Sequence, residues 1–270
     1  MNSTLSRFDY IDAARSTAER FVDLTQGIGD ADMRLSPSSH WTVADCLGHL
    51  SSEPARYIAL ARGKTSWPSR AAEMSDVYAK QIANMPTRDI RELCGKLLGD
   101  LDKLLDLVSH FGARVPMMRV DCGRSVRADS ALGILIGELA VHGHDIARRA
   151  RLRWDLDPSI APLVARGNHQ LLPIWVEDHA CRGHHATYDV RLRGCDERYI
   201  YEFTDGRLAV NPAEYRTPDV YISVDPVAGL LAGYGRLSPI RAAITGRAIA
   251  WGAKPWLAAD LLKHFSLVTV

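Results

Sequence analysis

The apolar residues of this chain change their spacing near Trp154. Before this point they recur about every 3.6 residues over long stretches, which is typical of helices with one buried face. After it, Thr187–Leu192 and Tyr199–Phe203 follow a period of two residues, which predicts β-strands, and Asp205-Gly206 is a predicted hairpin turn. In the same half, helices are predicted over residues 158–180, with an interruption near Pro173, and over residues 226–237 and 255–264. A chain of 270 residues is long enough for two domains. We therefore predict a helical domain over residues 1–154 and a small α+β domain over residues 155–270.

The helical half contains segments of similar length that each carry a single apolar stripe. Such helices most simply pack as an antiparallel four-helix bundle, because each stripe is then buried against its neighbours. The predicted helices cover residues 8–27, 43–62, 88–110 and 129–149, and a weaker helical segment lies within residues 66–85.

Two of these helices have recognisable start signals. Thr42 and Asp45 form a variant of the capping box, in which each side chain bonds the other residue's backbone amide. Trp41 can then pack against the start of the helix from outside. Thr87 is the predicted cap of the helix over residues 88–110.

Glu138 and His142 are four residues apart, so their side chains leave the same face of the helix over residues 129–149. Their neighbours are largely apolar. An unpaired polar group buried there would cost on the order of a few kcal/mol, so the two residues must have partners. Either they hydrogen-bond within the core or they share a metal ion. His49, in a similar helical context upstream, is a candidate third ligand.

Two histidines and a glutamate on packed helices match a catalytic zinc site, which keeps a fourth position open for water or substrate. Asp45 and Asp145 are candidates for orienting the imidazoles of His49 and His142. The simpler interpretations are that Asp45 only caps its helix and that Asp145 is a solvated charge near a helix end.

Other polar residues offer weaker signals. The segment His179–His185 has metal-binding residue types, but its irregular spacing favours a polar surface loop. Arg236 and Arg247 each follow a glycine, which lets the backbone approach a ligand, and either could bind a carboxylate through two parallel hydrogen bonds. Taken singly, each is more simply a surface arginine at a turn.

The overall composition excludes several classes of partner. With 33 basic and 32 acidic residues the formal charge is +1, so we expect no nucleic-acid or membrane partner. The first residues lack the apolar core of a secretion signal, which predicts a cytoplasmic protein. Five scattered cysteines without a C-x-x-C pair indicate reduced thiols. The sequence does not distinguish a monomer from a homodimer.

Two motifs resemble those of a known family. The segment Trp41–Leu50 (WTVADCLGHL) and the segment Glu138–Ala147 (ELAVHGHDIA) are similar to motifs of the mycothiol-dependent maleylpyruvate isomerases, which belong to the DinB-like superfamily of metalloenzymes. The sequence from Thr217 onward, with Gly235-Arg236 and Gly246-Arg247, resembles that family's sterol-carrier-protein-type domain. The resemblance covers nearly the whole chain. It implies a DinB-like four-helix bundle followed by a small α+β domain.

The resemblance also implies a site. A zinc ion, or another divalent metal, would be held by His49, Glu138 and His142, with the sulfur of mycothiol as the incoming ligand. A metal-bound thiol is deprotonated at neutral pH and can attack an electrophilic carbon. Arg236 or Arg247 would serve as a catalytic and cofactor-binding residue that holds the cofactor or substrate across an inter-domain cleft.

The substrate does not follow from the resemblance, because family members isomerise maleylpyruvate or transfer the thiol to other small electrophiles. His144 also departs from the family, which usually has tryptophan there. Two other functions stay open. One is a metal-dependent hydrolase that uses zinc-bound hydroxide, and the other is a non-catalytic protein that binds a small ligand.

Overall fold

The computed structural model describes residues 5–35 and 40–266. Residues 36–39, part of the loop predicted before the second helix, lie outside this description. The chain divides into two compact units, whose described parts are residues 5–156 and residues 157–266. We call them the helical unit and the mixed unit. The structure thus confirms that helices and sheet are combined in this chain.

The helical unit is built on long amphipathic helices whose apolar stripes face one another. Helix α1 packs against α4 and α5, and helix α2 packs against α3, α4 and α5. Burying each large aliphatic side chain of these stripes contributes roughly 1.5–3 kcal/mol. The helices are α1 (Arg7–Gln26), α2 (Val43–Ala61), α3 (Ala71–Ala83), α4 (Ile90–Ser109) and α5 (Leu132–Ala150). The inner stripe of α4 is formed by the buried residues Leu93, Leu97, Leu101, Leu104, Leu105 and Val108.

The start of α2 is fixed by the predicted capping box. The Thr42 hydroxyl accepts a hydrogen bond from the Asp45 amide at 3.2 Å, and the Asp45 carboxylate accepts one from the Thr42 amide at 2.9 Å. The prediction that Thr87 caps α4 was wrong. Its cap is Asp89, which accepts from the Glu92 amide at 2.9 Å, because the helix begins too late for Thr87 to reach its free amides.

A small hairpin replaces part of the loop expected between the third and fourth long helices. Strands β1 (Met117–Arg119) and β2 (Ser125–Arg127) pair antiparallel, with the buried Met118 opposite the buried Val126. The strands are too short to give a periodic signal in the sequence. The Trp67 amide donates to the Arg119 carbonyl at 2.7 Å, which ties the hairpin to the segment before α3.

The mixed unit contains a sheet of strand order β5-β4-β3-β6-β7, in which β3 and β6 are parallel and the other neighbours antiparallel. The predicted turn at Asp205-Gly206 joins β4 to β5, and both residues have positive φ angles, of 45° and 80°. The strands are β3 (His185–Leu192), β4 (Arg198–Thr204), β5 (Arg207–Val210), β6 (Val220–Val224) and β7 (Ala248–Trp251).

The helices of this unit are shorter than predicted. The predicted interruption near Pro173 is confirmed, since a proline lacks the backbone donor that a helix interior requires. The prediction of an α-helix over residues 255–264 was wrong, because this stretch forms two 3₁₀ segments. The helix predicted over residues 226–237 ends early and is followed by another. The α-helices are α6 (Ile160–His169), α7 (Asp178–Cys181), α8 (Pro226–Gly233) and α9 (Pro239–Ile244), and the 3₁₀ segments are Leu172–Ile174, Pro255–Ala259 and Leu261–His264.

Nowhere in residues 5–35 and 40–266 does a helix combine the length and apolar character that crossing a membrane requires.

Candidate metal centre

The structure brings His49, Glu138 and His142 together inside the helical unit. His49 lies on α2, and the other two lie one turn apart on α5. One ligand-type atom from each residue lies within 4.8 Å of the others. Oε2 of Glu138 is 3.7 Å from Nε2 of His49 and 3.3 Å from Nε2 of His142. We call these three residues the His-Glu-His triad.

The triad is buried, with one more open side. The side chains of His49 and His142 are 0% and 3% exposed, whereas that of Glu138 is 16% exposed. A small ligand could therefore reach the triad from the side of the carboxylate.

Two nitrogen atoms of the triad lack a hydrogen bond from the described residues. They are Nε2 of His49 and Nδ1 of His142, both buried. The distance from Nε2 of His49 to Glu138 is too long for a hydrogen bond. Leaving Nε2 of His49 unpaired costs about 1–3 kcal/mol, which a metal bond at this atom would offset. Two imidazoles and a carboxylate are also a donor set of catalytic zinc sites, so the residues present fit a divalent metal.

The charges around the triad act in opposite directions on its members. Burial raises the pKa of Glu138, but the adjoining imidazoles of His142 and His49 outweigh burial, and the pKa lies well below its usual range. Burial lowers the pKa of His49, but the carboxylates of Glu138 and Glu53 outweigh it, and the net shift is upward. Glu138 is therefore ionised at neutral pH, as a metal ligand must be, while His49 must lose its proton before it can bind a metal.

The second nitrogen of His49 has a partner that the sequence did not indicate. Nδ1 of His49 lies 2.8 Å from Oε1 of Gln81, on α3. Nε2 of Gln81 donates to Glu53 at 2.6 Å, and Glu53 accepts two hydrogen bonds from Arg56 at 2.9 and 2.6 Å. A single glutamine in a weakly periodic helix gives no signal of such a role, because the contact depends on how α3 packs on α2.

Of the two roles considered for Asp45, helix cap or partner of the His49 imidazole, the structure shows the helix cap. Asp45 caps α2 and accepts a hydrogen bond from Arg88 at 2.9 Å, while Gln81 takes the place beside the His49 imidazole. The reason is the position of Asp45 in the first turn of α2, where free amides and a cation compete for its carboxylate. Asp145 and His144 are half-buried on α5.

Aromatic rings form the wall beside the triad. The Trp41 ring stacks on His142 at a centroid distance of 5.9 Å and lies 5.3 Å from the His49 ring. Trp41 was expected to pack outside the helix start, but its ring faces the triad. The Tyr78 ring, on α3, lies 4.2 Å from that of His49. Burial and the nearby carboxylates raise the pKa of Tyr78, so its phenol stays neutral.

The two predicted arginines lie in the mixed unit and are held by their own neighbours. Nη2 of Arg247 lies 2.7 Å from Oδ1 of Asp225, which also caps α8 by accepting from the Ala228 amide. Nη1 of Arg236 donates to the Tyr234 carbonyl at 2.6 Å. Each follows a glycine, Gly235 or Gly246, that has a positive φ angle. Their role toward a ligand stays a prediction.

The segment His179–His185 is only in part the surface loop expected. Cys181 is buried, and its thiol approaches the His264 carbonyl at 3.5 Å. His184 stacks on His264 at 4.0 Å and lies within hydrogen-bonding distance of the Tyr188 hydroxyl, at 3.1 Å. Among the described residues, only the triad brings three ligand-type side chains close enough to share an ion.

Comparisons with known proteins give a family match and a likeness of fold. The family model of the mycothiol maleylpyruvate isomerase N-terminal domain matches residues 14–147, a range that includes the triad. The crystal structure of the mycothiol-dependent maleylpyruvate isomerase is similar over 86% of this chain and 90% of that chain, with a TM-score of 0.52 and 14% identity. At this identity the likeness establishes the fold alone.

Two further structures are less similar. A mutant of the same isomerase, with one histidine replaced by alanine, covers the same shares at a TM-score of 0.49 and 14% identity. A stereoselective inverting sec-alkylsulfatase from Pseudomonas sp. covers 53% of this chain and 25% of its own, at a TM-score of 0.33 and 13% identity. A comparison with curated protein sequences finds no match.

Proposed function

We propose that this chain, which belongs to the mycothiol-dependent maleylpyruvate isomerase family, is a metal-dependent isomerase that uses mycothiol on a small electrophile. The observation that carries the proposal is the buried His-Glu-His triad, which lies within the matched residues 14–147. A soluble domain rarely keeps two imidazoles and a carboxylate together in an apolar core unless they bind something.

Zinc is the metal that this donor set suits best, since imidazole and carboxylate ligands with one open position are typical of catalytic zinc sites. A bound divalent ion would supply the positive charge that keeps a thiol ionised at neutral pH. The residues of the chain prepare the site for it. Glu138 offers an ionised carboxylate, His49 offers Nε2, and Trp41 and Tyr78 keep water from one side.

We propose that the substrate is a small conjugated acid such as maleylpyruvate, the compound that appears in the name of the similar enzyme. An isomerase returns the thiol unchanged, whereas a transferase keeps it in the product, and the family likeness favours the first. A carboxylate on the substrate or on the cofactor needs a cation. We propose Arg247 or Arg236 for that role, because a guanidinium can bind a carboxylate through two hydrogen bonds. We also propose that residues 155–270 form a sterol-carrier-protein-type domain and residues 1–154 a DinB-like four-helix bundle.

The experiment is a reconstitution assay with matched variants. The protein, zinc-loaded or metal-free, is mixed with maleylpyruvate, with and without mycothiol, and the cis-to-trans conversion is followed. We expect conversion only when both zinc and mycothiol are present. His142→Ala should abolish it, whereas His110→Ala, which changes an exposed histidine of the same unit, should not.

Other outcomes would replace the proposal. Thiol-independent hydrolysis of ester or amide substrates would point to a zinc-bound hydroxide, and binding of the acid without conversion would point to a ligand-binding protein. Transfer of the thiol into a stable product would make the chain a transferase.

A further inference from the structure

A continuous chain of hydrogen bonds leads from Arg56 to the triad. Arg56 donates twice to Glu53, the Gln81 amide donates to Glu53, and the Gln81 carbonyl lies 2.8 Å from Nδ1 of His49. Glu53 is 1% exposed and Arg56 is 13% exposed. Arg56 is further fixed by the Trp67 ring, whose centroid is 4.5 Å from the guanidinium carbon. The chain is thus rigid at the end remote from the triad.

The direction of every bond in this chain is set by Glu53. Burial raises the pKa of Glu53, but the Arg56 guanidinium outweighs burial, so the carboxylate is ionised and can only accept. The NH₂ group of Gln81 must therefore face Glu53, and its carbonyl must face His49. An amide carbonyl can only accept, so Nδ1 of His49 must carry a proton.

This assignment decides which nitrogen of His49 is available. A neutral imidazole has one proton, and when Nδ1 carries it the lone pair is on Nε2, the atom 3.7 Å from Glu138. Without an acceptor at Nδ1, the proton would be better placed on Nε2, where a small movement of the ring would let it donate to the Glu138 carboxylate. That second tautomer has no lone pair at the triad. Gln81 therefore opposes the one tautomer that would block a metal.

We infer that Gln81 is a positioning residue, which holds His49 in the tautomer that binds a metal, and that Glu53 orients Gln81 for this task. The metal part of the inference depends on the proposed function, but the tautomer part does not. Partners of this kind typically change metal affinity by about 10- to 100-fold when removed. Burying the Glu53–Arg56 ion pair costs solvation free energy, and the orientation of Gln81 explains why the pair is there.

The test combines a metal-free and a metal-bound measurement on the full chain. In metal-free protein at alkaline pH, where His49 is neutral, the ¹⁵N shifts of its ring report which nitrogen carries the proton. We expect the Nδ1–H tautomer in the wild type and the Nε2–H tautomer in Gln81→Leu. The zinc dissociation constant of Gln81→Leu should rise about 10- to 100-fold. Gln26→Leu, at the exposed end of α1, is the matched control and should change neither.

A rescue variant separates positioning from a merely structural role. The double variant Glu53→Gln with Gln81→Glu exchanges the two side chains, so that a carboxylate accepts from His49 and an amide bridges to Arg56. It should restore the Nδ1–H tautomer and bring zinc affinity to within about tenfold of the wild type. This variant also serves if Gln81→Leu does not fold.

The outcomes are distinct. If Gln81→Leu keeps both the Nδ1–H tautomer and wild-type zinc affinity, or if the folded double variant restores neither, the inference is overturned. If the wild type itself binds no zinc while the tautomer still depends on Gln81, the proposed function fails and the positioning of His49 stands.

Discussion

Nε2 of His49, on α2, lies 3.7 Å from Oε2 of Glu138, on α5, so a side chain from each of the two helices contributes one ligand-type atom to the triad. A proton on this nitrogen is attracted by the same carboxylate that would share a metal with it. A metal bound at the triad would therefore compete with the proton for His49, and this competition would make metal binding dependent on pH.

The first prediction is that zinc affinity increases as the pH is raised from about 6 to about 8. Burial lowers the pKa of His49, but Glu138 and Glu53 outweigh burial and the net shift is upward. A proton must therefore leave His49 before zinc binds. Below the raised pKa, one displaced proton gives about a tenfold change in affinity per pH unit. Calorimetric zinc titrations across this range measure the slope. An affinity that is constant with pH would show that His49 is already neutral.

The same shift has an opposite effect on the metal-free protein. A pKa raised by folding stabilises the folded state below the unfolded value of about 6.5, and this contribution is lost as the pH rises through the folded pKa. Zinc should therefore increase the melting temperature more at the alkaline end of the range.

A second prediction concerns Gly143, next to the triad on α5. A Cβ atom at this position would clash with Cζ2 of Trp154, whose indole donates to the Ala140 carbonyl at 3.0 Å. Gly143→Ala should therefore destabilise the protein by about 1–3 kcal/mol, although alanine favours helices. Denaturant unfolding measures the change.

Gly95 on α4 provides the control, because no atom lies within 4 Å of a Cβ added there. Gly95→Ala should stabilise the protein by roughly 0.5–1 kcal/mol. Equal effects of the two substitutions would mean that Trp154 does not limit the space at Gly143.

The third prediction concerns the mixed unit. Arg247→Ala should leave the zinc content unchanged and reduce kcat/KM roughly 30- to 150-fold, the loss of a charge-assisted contact worth about 2–3 kcal/mol. Arg236→Ala is the second candidate for this effect, and we favour Arg247. Asp225→Asn is the control for indirect effects, since Asp225 holds Arg247 and caps α8. Wild-type kinetics in both arginine variants would leave the mixed unit without a direct part in turnover.

The fourth prediction is that the protein's own thiols are dispensable, because in the proposed function the nucleophile comes from mycothiol. Cys46, buried on α2 one turn before His49, is the critical case. Cys46→Ser should lower stability while zinc content and turnover are kept. Cys122→Ser and Cys195→Ser, at exposed positions, should change neither stability nor zinc content nor turnover. Loss of turnover in a folded, zinc-loaded Cys46→Ser protein would place the nucleophile on the chain.

The long helices and the triad could be predicted because their signals are local or periodic. The apolar stripe of α4 repeats over its whole length, and the capping box at Thr42 and Asp45 involves residues three apart. Glu138 and His142 share a face through helix geometry alone. The helical context of His49 made it a candidate third ligand, and a second motif of the known family strengthened that assignment.

The surroundings of the triad could not be predicted, because they depend on tertiary packing. Gln81 and Tyr78 lie on α3, whose pattern is weak, and their contacts with His49 exist only because α3 packs on α2. Trp41 has an equally plausible place outside the helix start, and only the structure directs its ring toward His142. In the mixed unit, short 3₁₀ segments such as Leu261–His264 have no period long enough to detect.

The metal content of the protein and of His49→Ala tests the central claim most directly. Both proteins are purified, loaded with zinc, freed of excess ion and analysed by elemental mass spectrometry, with His110→Ala as the control. The His-Glu-His triad predicts about one zinc ion per chain in the wild type and in His110→Ala, and little in His49→Ala. A full complement of zinc held with unchanged affinity by His49→Ala, or none in the wild type, would contradict it.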